Sequence, residues 1–274
     1  MRGRCKLCLT PDVELRDSHF TPKSTYGLFH DGTNEPVRFV EKSLFPTSKQ
    51  VTDYVFCGDC EQLFNREGEN WFCPLLPTVG GPFPLRERVM KGRLLYRDET
   101  TAIFQAADNP EIDITKLTHF ALGMFFKAAV HSWKKGSTEP YMQMEPKDVE
   151  AIRLYLLDKG DLPKRMALCI TVDSLVTPLQ MGVQPYRMQD TQGLKRYVFY
   201  LAGVFFQLFV GDSAAEKNVA CFGVHPARPI WMQNVSIVVR NTGREEFKGA
   251  RKTKKLEETL KELDEKGLSI RLGD

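Results

Sequence analysis

Apolar positions along the chain follow two different periods, and the change of period divides it. Over residues 114–134, Leu117, Phe120, Ala121, Met124 and Ala128 fall at helical spacing, and Leu122, Phe125, Ala129 and Trp133 fill a second face. A helix apolar on two faces is buried on most sides. Pro146 opens another helix, carried by Val149, Ile152, Leu156 and Leu157 and stopped near Gly160. Residues 250–266 predict a surface helix with one stripe of Leu256, Leu260 and Leu263. Between these helices, residues 167–176, 197–210 and 230–240 are rich in β-branched and aromatic side chains and predict strands. Residues 93–97 and 101–105 are short β-like runs joined by Asp98-Glu-Thr, the pattern of a hairpin.

Residues 1–85 read differently: paired cysteines, two histidines and many turn formers. This stretch closes in Cys73-Pro-Leu-Leu-Pro-Thr-Val-Gly-Gly-Pro-Phe-Pro, too rich in proline and glycine for regular structure. The expected fold class is α+β. A metal-stapled module over 1–85 precedes a larger mixed region over 86–274, helical first and β-rich afterwards.

With 42% hydrophobic and 27% charged residues, 18 Phe and 8 Tyr, the chain is too apolar and aromatic to be disordered. A net charge of +3 is too small to argue for nucleic-acid binding by itself. The opening Met-Arg-Gly-Arg-Cys-Lys-Leu-Cys lacks the apolar core of a secretory signal. The longest apolar run, 198–210, contains Gly203 and Gln207 and falls short of the roughly 20 residues that span a bilayer. A soluble, cytoplasmic protein without a membrane partner is expected. Seven cysteines, an odd number, then point to metal thiolates or buried thiols rather than disulfides.

Cys5-Lys-Leu-Cys8 and Cys57-Gly-Asp-Cys60 are two C-x2-C knuckles. A two-residue gap turns the chain tightly enough to bring both sulfurs to about 2.3 Å from one Zn²⁺, and two such turns close a tetrahedral structural site. That site holds a fold together and leaves no position for a substrate.

Between the knuckles lies Leu15-Arg-Asp-Ser-His19-Phe-Thr-Pro22-Lys23, and from the second knuckle runs Cys60-Glu61-Gln-Leu-Phe-Asn65-Arg-Glu67-Gly-Glu69. In this order the segment resembles the zinc-knuckle form of the HNH (ββα-metal, treble-clef) endonucleases. It is most similar to HNH-like proteins with Ser-His-x-x-Pro-Lys and Cys-Glu at these places. The likeness spans roughly the first 72 residues and is silent on the rest.

The resemblance implies a metal-dependent endonuclease hydrolysing phosphodiesters in DNA, in keeping with prokaryotic defence. His19 falls at the general-base position, and an imidazole with an ordinary pKa near 6.5 suits that task. Glu61 falls at a metal-ligand position, and its carboxylate suits Mg²⁺ or Mn²⁺. Asn65, one helical turn on, shares the expected face of Glu61, as does Glu69 if the helix survives Gly68. Family members commonly carry an acidic residue just before the base, where this chain has Ser18. Asp17, on the same side of a regular strand as His19, is the expected substitute. His30 and Asp31 are further candidates. The alternative is a zinc-knuckle module whose catalytic ion site has decayed and which docks nucleic acid or a protein.

Lys23 and the cluster Arg86, Arg88, Lys91, Arg93 and Arg97 could contact phosphates, or form a solvated face. Arg251-Lys-Thr-Lys-Lys255 is balanced by following acidic residues and reads as a solvated helix. His119 and His131 are expected as hydrogen-bonded core residues, and Cys73, Cys169 and Cys221 as buried thiols. His225-Pro-Ala-Arg228-Pro reads as a turn. The larger region could also mediate homo-oligomerisation.

Overall fold

The structure is a computed structural model describing residues 1–29, 37–40, 43–78, 80–134, 136–178, 180–212, 214, 221–223, 225–237, 239 and 251–265. Strands β1 (Arg2–Gly3), β2 (Val13–His19) and β5 (Thr52–Cys57) form an antiparallel sheet in the order β1-β2-β5. The register of β2 on β5 shifts between Leu15 and Asp17. Such a bulge breaks the in–out alternation, so Arg16 and Asp17 are both exposed and Ser18 turns inward, fully buried. Strands β3 (Val37–Val40) and β4 (Ser43–Pro46) form a separate hairpin, joined in parallel by the late strand β13 (Arg251–Lys252).

Helix α1 (Gly58–Phe64) starts directly from β5, because Cys57 is extended (φ −75°, ψ 168°) and is itself the N-cap. The helix does not continue with regular spacing. Asn65–Glu69 is a π-helical turn, followed by α2 (Asn70–Phe72). Gly68 is required there: a β-carbon on it would stand 3.0 Å from the backbone of Phe120.

A larger sheet has seven strands: β6 (Leu94–Arg97), β7 (Thr101–Gln105), β8 (Met166–Asp173), β9 (Gly182–Thr191), β10 (Leu194–Leu201), β11 (Val204–Val210) and β12 (Pro229–Gln233). Their order is β6-β7-β12-β8-β11-β10-β9, antiparallel except where β12 runs parallel to β8. The expected hairpin at 93–105 is present, its turn held by Asp98 Oδ1, which accepts from the amides of Thr100 and Thr101 at 2.8 Å. The apolar run 197–210 is not one strand. It folds back through Ala202 (φ 40°) and Gly203 (φ 89°), and such a left-handed pair matches the twist of a tight hairpin. Strand β9 has no counterpart in the sequence expectations; it carries Pro185 and exposed polar residues along a sheet edge. The strand expected over 230–240 stops at Gln233, and 235–237 are helical.

Helix α3 (Pro84–Met90) precedes that sheet in the chain. Helix α4 (Ile114–Val130) is buried almost throughout and packs against the π turn. It ends earlier than the apolar pattern suggests, because Trp133 turns back through a positive φ of 52° and its Nε1 donates to Lys127 O at 2.6 Å. An indole thus satisfies one of the carbonyls left open at a helix end. Helices α5 (Pro146–Leu156) and α6 (Lys254–Glu265) lie within the segments expected for them.

One apolar core includes residues from both sides of residue 85. Phe72 stacks on Phe120 at 4.1 Å between ring centres, and Phe199 on Phe206 at 4.4 Å, so both sides of that position contribute to a single aromatic cluster. No helix among the described residues is long and apolar enough to cross a membrane.

Candidate metal centre

Cys5 and Cys8 lie in the turn between β1 and β2. Cys5 N–H donates to Thr10 O at 3.1 Å, Leu9 N–H to Cys5 O at 3.0 Å, and Leu9 takes φ 62° to close the loop. Cys57 and Cys60 come from the β5–α1 junction, and Lys6 N–H donates to Val55 O at 3.2 Å, so backbone pairing draws the two knuckles together. Arg153 of α5 donates to Leu7 O at 3.0 Å and fixes the first knuckle from outside.

The four sulfurs all lie within 4.8 Å of one another, and Cys8 Sγ and Cys57 Sγ are 3.8 Å apart. A tetrahedral ion with sulfurs at about 2.3 Å requires an S–S edge of about 3.8 Å. The donor set therefore fits Zn²⁺ in both chemistry and spacing. The electrostatics agree. The Cys5 thiol is drawn down to about 4 by a hydrogen bond from Cys60 and by the backbone amides of Cys57, Cys8 and Leu7, against the opposing effect of burial. Cys60 is raised in turn by that same contact, by burial and by the neighbouring negative charge. Four thiols packed this closely resist joint ionisation until a cation neutralises them.

His19 ends β2, as the sequence suggests. Its Nε2 is 2.6 Å from Gln50 Oε1, and its ring meets Tyr26 edge-on at 6.4 Å. A carboxamide oxygen only accepts, so Nε2 is the donor in this contact. Ser18 is occupied structurally, its Oγ accepting from Phe56 N–H at 3.2 Å. Asp17 is exposed beside it.

Glu61 is half-buried in the first turn of α1, and its Oε1 is fully enclosed without a hydrogen-bond partner. Asn65 N–H still donates to Glu61 O, so Asn65 follows Glu61 by a regular turn; only Glu69, beyond the π turn that adds a residue, is rotated away from the face that regular spacing gives. Asn65 is exposed, and Glu69 is turned inward. Among the described residues, the four cysteines are the group of three or more close metal-ligating side chains. His19, Glu61 and Asp17 do not form another. His30 and Asp31 lie outside the described residues.

The sequence reading passes over Lys127. Its ammonium is enclosed, 2.8 Å from Glu69 Oε1, 3.4 Å from the backbone oxygen of His19, and 4.7 Å from the centre of the Phe64 ring. Burial opposes its charge, but the carboxylates of Glu69 and Glu61 outweigh that opposition and raise its pKa. The available signal is a lone lysine in an otherwise apolar stretch.

His119 is buried, with Nε2 3.2 Å from Leu156 O, and burial lowers its pKa. His131 lies just beyond α4 and pairs with Asp53 at 2.8 Å. Of the expected phosphate-binding cluster, Arg86 donates to Ser174 O at 3.0 Å, and Arg88 and Lys91 both engage Glu111. Lys23 is exposed at the start of the 3-10 helix Lys23–Phe29, and Arg93 and Arg97 flank the exposed apolar residues of β6. Compared with known proteins, the chain matches no family model, no curated protein and no solved structure.

Proposed function

We propose that this chain is a metal-dependent nuclease of the HNH type that hydrolyses phosphodiester bonds in DNA, with its reaction centre beside a zinc-holding cluster of four cysteines. The observation that carries the reading is Glu61 Oε1, an enclosed carboxylate oxygen without a donor in the helix turn that the cysteines fix. An orphaned hard oxygen is costly unless a cation or donor completes it. Mg²⁺ or Mn²⁺ commonly takes one or two carboxylates and fills its remaining positions with water and phosphate oxygens, so Glu61 is an adequate protein anchor. Such an ion would supply charge neutralisation at the phosphate.

His19 acts as the general base. With Nε2 engaged by Gln50 Oε1, Nδ1 is the ring atom left to accept a proton from the attacking water. Lys23, exposed four residues further on, is the phosphate contact nearest in sequence. Asp17 shares the His19 side of β2 and orients water or substrate there.

The test is cleavage of plasmid and linear DNA with Mg²⁺, with Mn²⁺ and with EDTA, beside His19→Ala and Glu61→Gln. Hydrolysis that EDTA abolishes, and that His19→Ala lowers by about 10²–10⁴-fold, is the expected result. Cutting unchanged in His19→Ala overturns the assignment of the base.

A second reading has its own observation. Lys127 already pairs with Glu69, and the Glu61 carboxylate acts on the same ammonium, a charge that a metal ion would otherwise supply. On that reading the module docks nucleic acid or protein without cutting, and DNA binding with no hydrolysis under any metal is its signature.

A further inference from the structure

Away from the zinc-site cysteines, the outer face of the seven-stranded sheet holds two more thiols. On β8, Met166, Leu168, Ile170 and Val172 point into the main core, so Ala167 and Cys169 face the opposite side. There Ala167, Leu194, Ala214 and Cys221 form a small separate cluster, with Cys169 and Phe209 packed against it. Gly223 N–H donates to Leu168 O at 3.0 Å and ties the segment carrying Cys221 to β8. Cys221 is 2% exposed, and Cys169, which is only partly buried, packs against the same cluster. Both are free thiols, far apart in sequence and joined only by the fold.

The surroundings of the two sulfurs are unequal. Cys169 lies directly across from Gln207 on β11, and the Gln207 side-chain oxygen accepts from Arg196 Nε at 3.0 Å. The Arg196 guanidinium, which also lies over the Phe209 ring, therefore sets positive charge beside Cys169. Cys169 is lowered by the Cys221 contact and, in smaller part, by Arg196; Cys221 is raised by the same contact and by burial. The more exposed of the two, Cys169, lies beside the Arg196 charge, and its partner Cys221 is enclosed. Attacking and resolving thiols are divided in this way.

We propose that Cys169 and Cys221 form an oxidisable dithiol that a hydroperoxide converts into an intramolecular disulfide joining β8 to the segment around residue 221. The Cys169 thiolate attacks the outer peroxide oxygen and the O–O bond breaks. Cys169 becomes a sulfenic acid, and the peroxide is reduced to water or an alcohol. The Cys221 sulfur then attacks the Cys169 sulfur, the S–O bond breaks, and water leaves with the Cys221 proton. Two thiols and one hydroperoxide give one disulfide, one water, and one further water or alcohol. The two thiols share one small cluster, and closure to an S–S bond of about 2.05 Å requires them to turn toward each other within it.

The test uses the full zinc-loaded chain treated with graded hydrogen peroxide, alkylated and digested, with zinc release followed in parallel to account for the four metal-site cysteines. The expected product is a peptide pair linked through Cys169 and Cys221, two hydrogens lighter than the reduced pair and restored by a thiol reductant. In Cys221→Ser, Cys169 should stop as a sulfenic acid captured by a dimedone probe, whereas Cys169→Ser should leave Cys221 unreacted. Thermal melts of both variants check that they fold. Alkylation of both residues after peroxide treatment that oxidises the zinc ligands overturns the proposal, as does linkage of either residue to a different cysteine.

Discussion

In the three-stranded sheet, β1 supplies two residues, and β2 and β5 bury chiefly Leu15, Ser18, Val55 and Phe56. In the seven-stranded sheet, β8 and β10 are buried along nearly their whole length, and an aromatic cluster fills the space under them. The larger sheet excludes enough apolar surface to organise itself. The smaller one does not, because a sheet of this size needs a packed partner or a staple to be stable. Its staple is the four-sulfur cluster, and its partner is α4, which brings the core of the large region up against the π turn. The site residues therefore sit on the part of the molecule that cannot order itself by apolar burial alone.

The largest test of that contrast removes the staple. Cys57→Ser, or a strong chelator, should release the one zinc per chain and abolish amide protection in β2 and β5 while the seven-stranded sheet stays protected. Structural zinc is worth about 10–16 kcal/mol in small zinc-binding peptides, more than a single packing change supplies. Metal analysis with hydrogen exchange reads both parts, and equal loss of protection in the two sheets would show that they are not independently held.

Next in size is the joint between them. Lys127→Met leaves Glu69 enclosed without its counter-charge and should cost about 3–5 kcal/mol in urea unfolding. Glu69→Gln in the same background should recover part of the loss. Gly68→Ala should cost about 1–3 kcal/mol, because its methyl meets the Phe120 backbone, which has no flexible end to move. An alanine variant as stable as the parent would mean that the π turn yields easily.

The smallest effect concerns Asp53, whose carboxyl is held below its usual value first by the hydrogen bond from His131. A depressed folded value contributes stability that is fully present above the ordinary aspartate pKa of about 3.9 and is lost as pH falls through the folded value. Because the pair is partly exposed, Asp53→Asn should remove well under about 1 kcal/mol. Comparing acid melts of the two proteins checks it; a difference that persists unchanged below about pH 3, where the ordinary carboxyl is protonated, would assign the effect to packing.

Much of this architecture is legible in the sequence. Paired cysteines identify the cluster, since a C-x2-C turn determines its own local geometry. The hairpin at 93–105 and the helices from Ile114 and Pro146 follow from period and turn residues, whereas the strand ending at His19 is implied only by the resemblance. What escapes depends on distance in space. Glu69 shares the Glu61 face only if the helix keeps its period through Gly68, and the packing of Gly68 on Phe120 decides that it does not. Lys127 looks like an interruption of an apolar face until Glu69 is brought beside it, and the cluster that Cys169 and Cys221 share has no sequence spacing to announce it. Strand β9 is half polar because it lies at an edge, so alternation alone understates it.

Lys127 has one more consequence. Its side chain reaches the His19 carbonyl and Glu69, and its own carbonyl receives the indole of Trp133, whose ring stacks on Phe20, the residue after His19. A single residue thus closes a mechanical loop from the long helix through the end of β2 and back. The end of β2 is thereby anchored to α4 on both sides of the His19 peptide, at its carbonyl and through the Phe20 ring, so the position of that backbone is set by the large region.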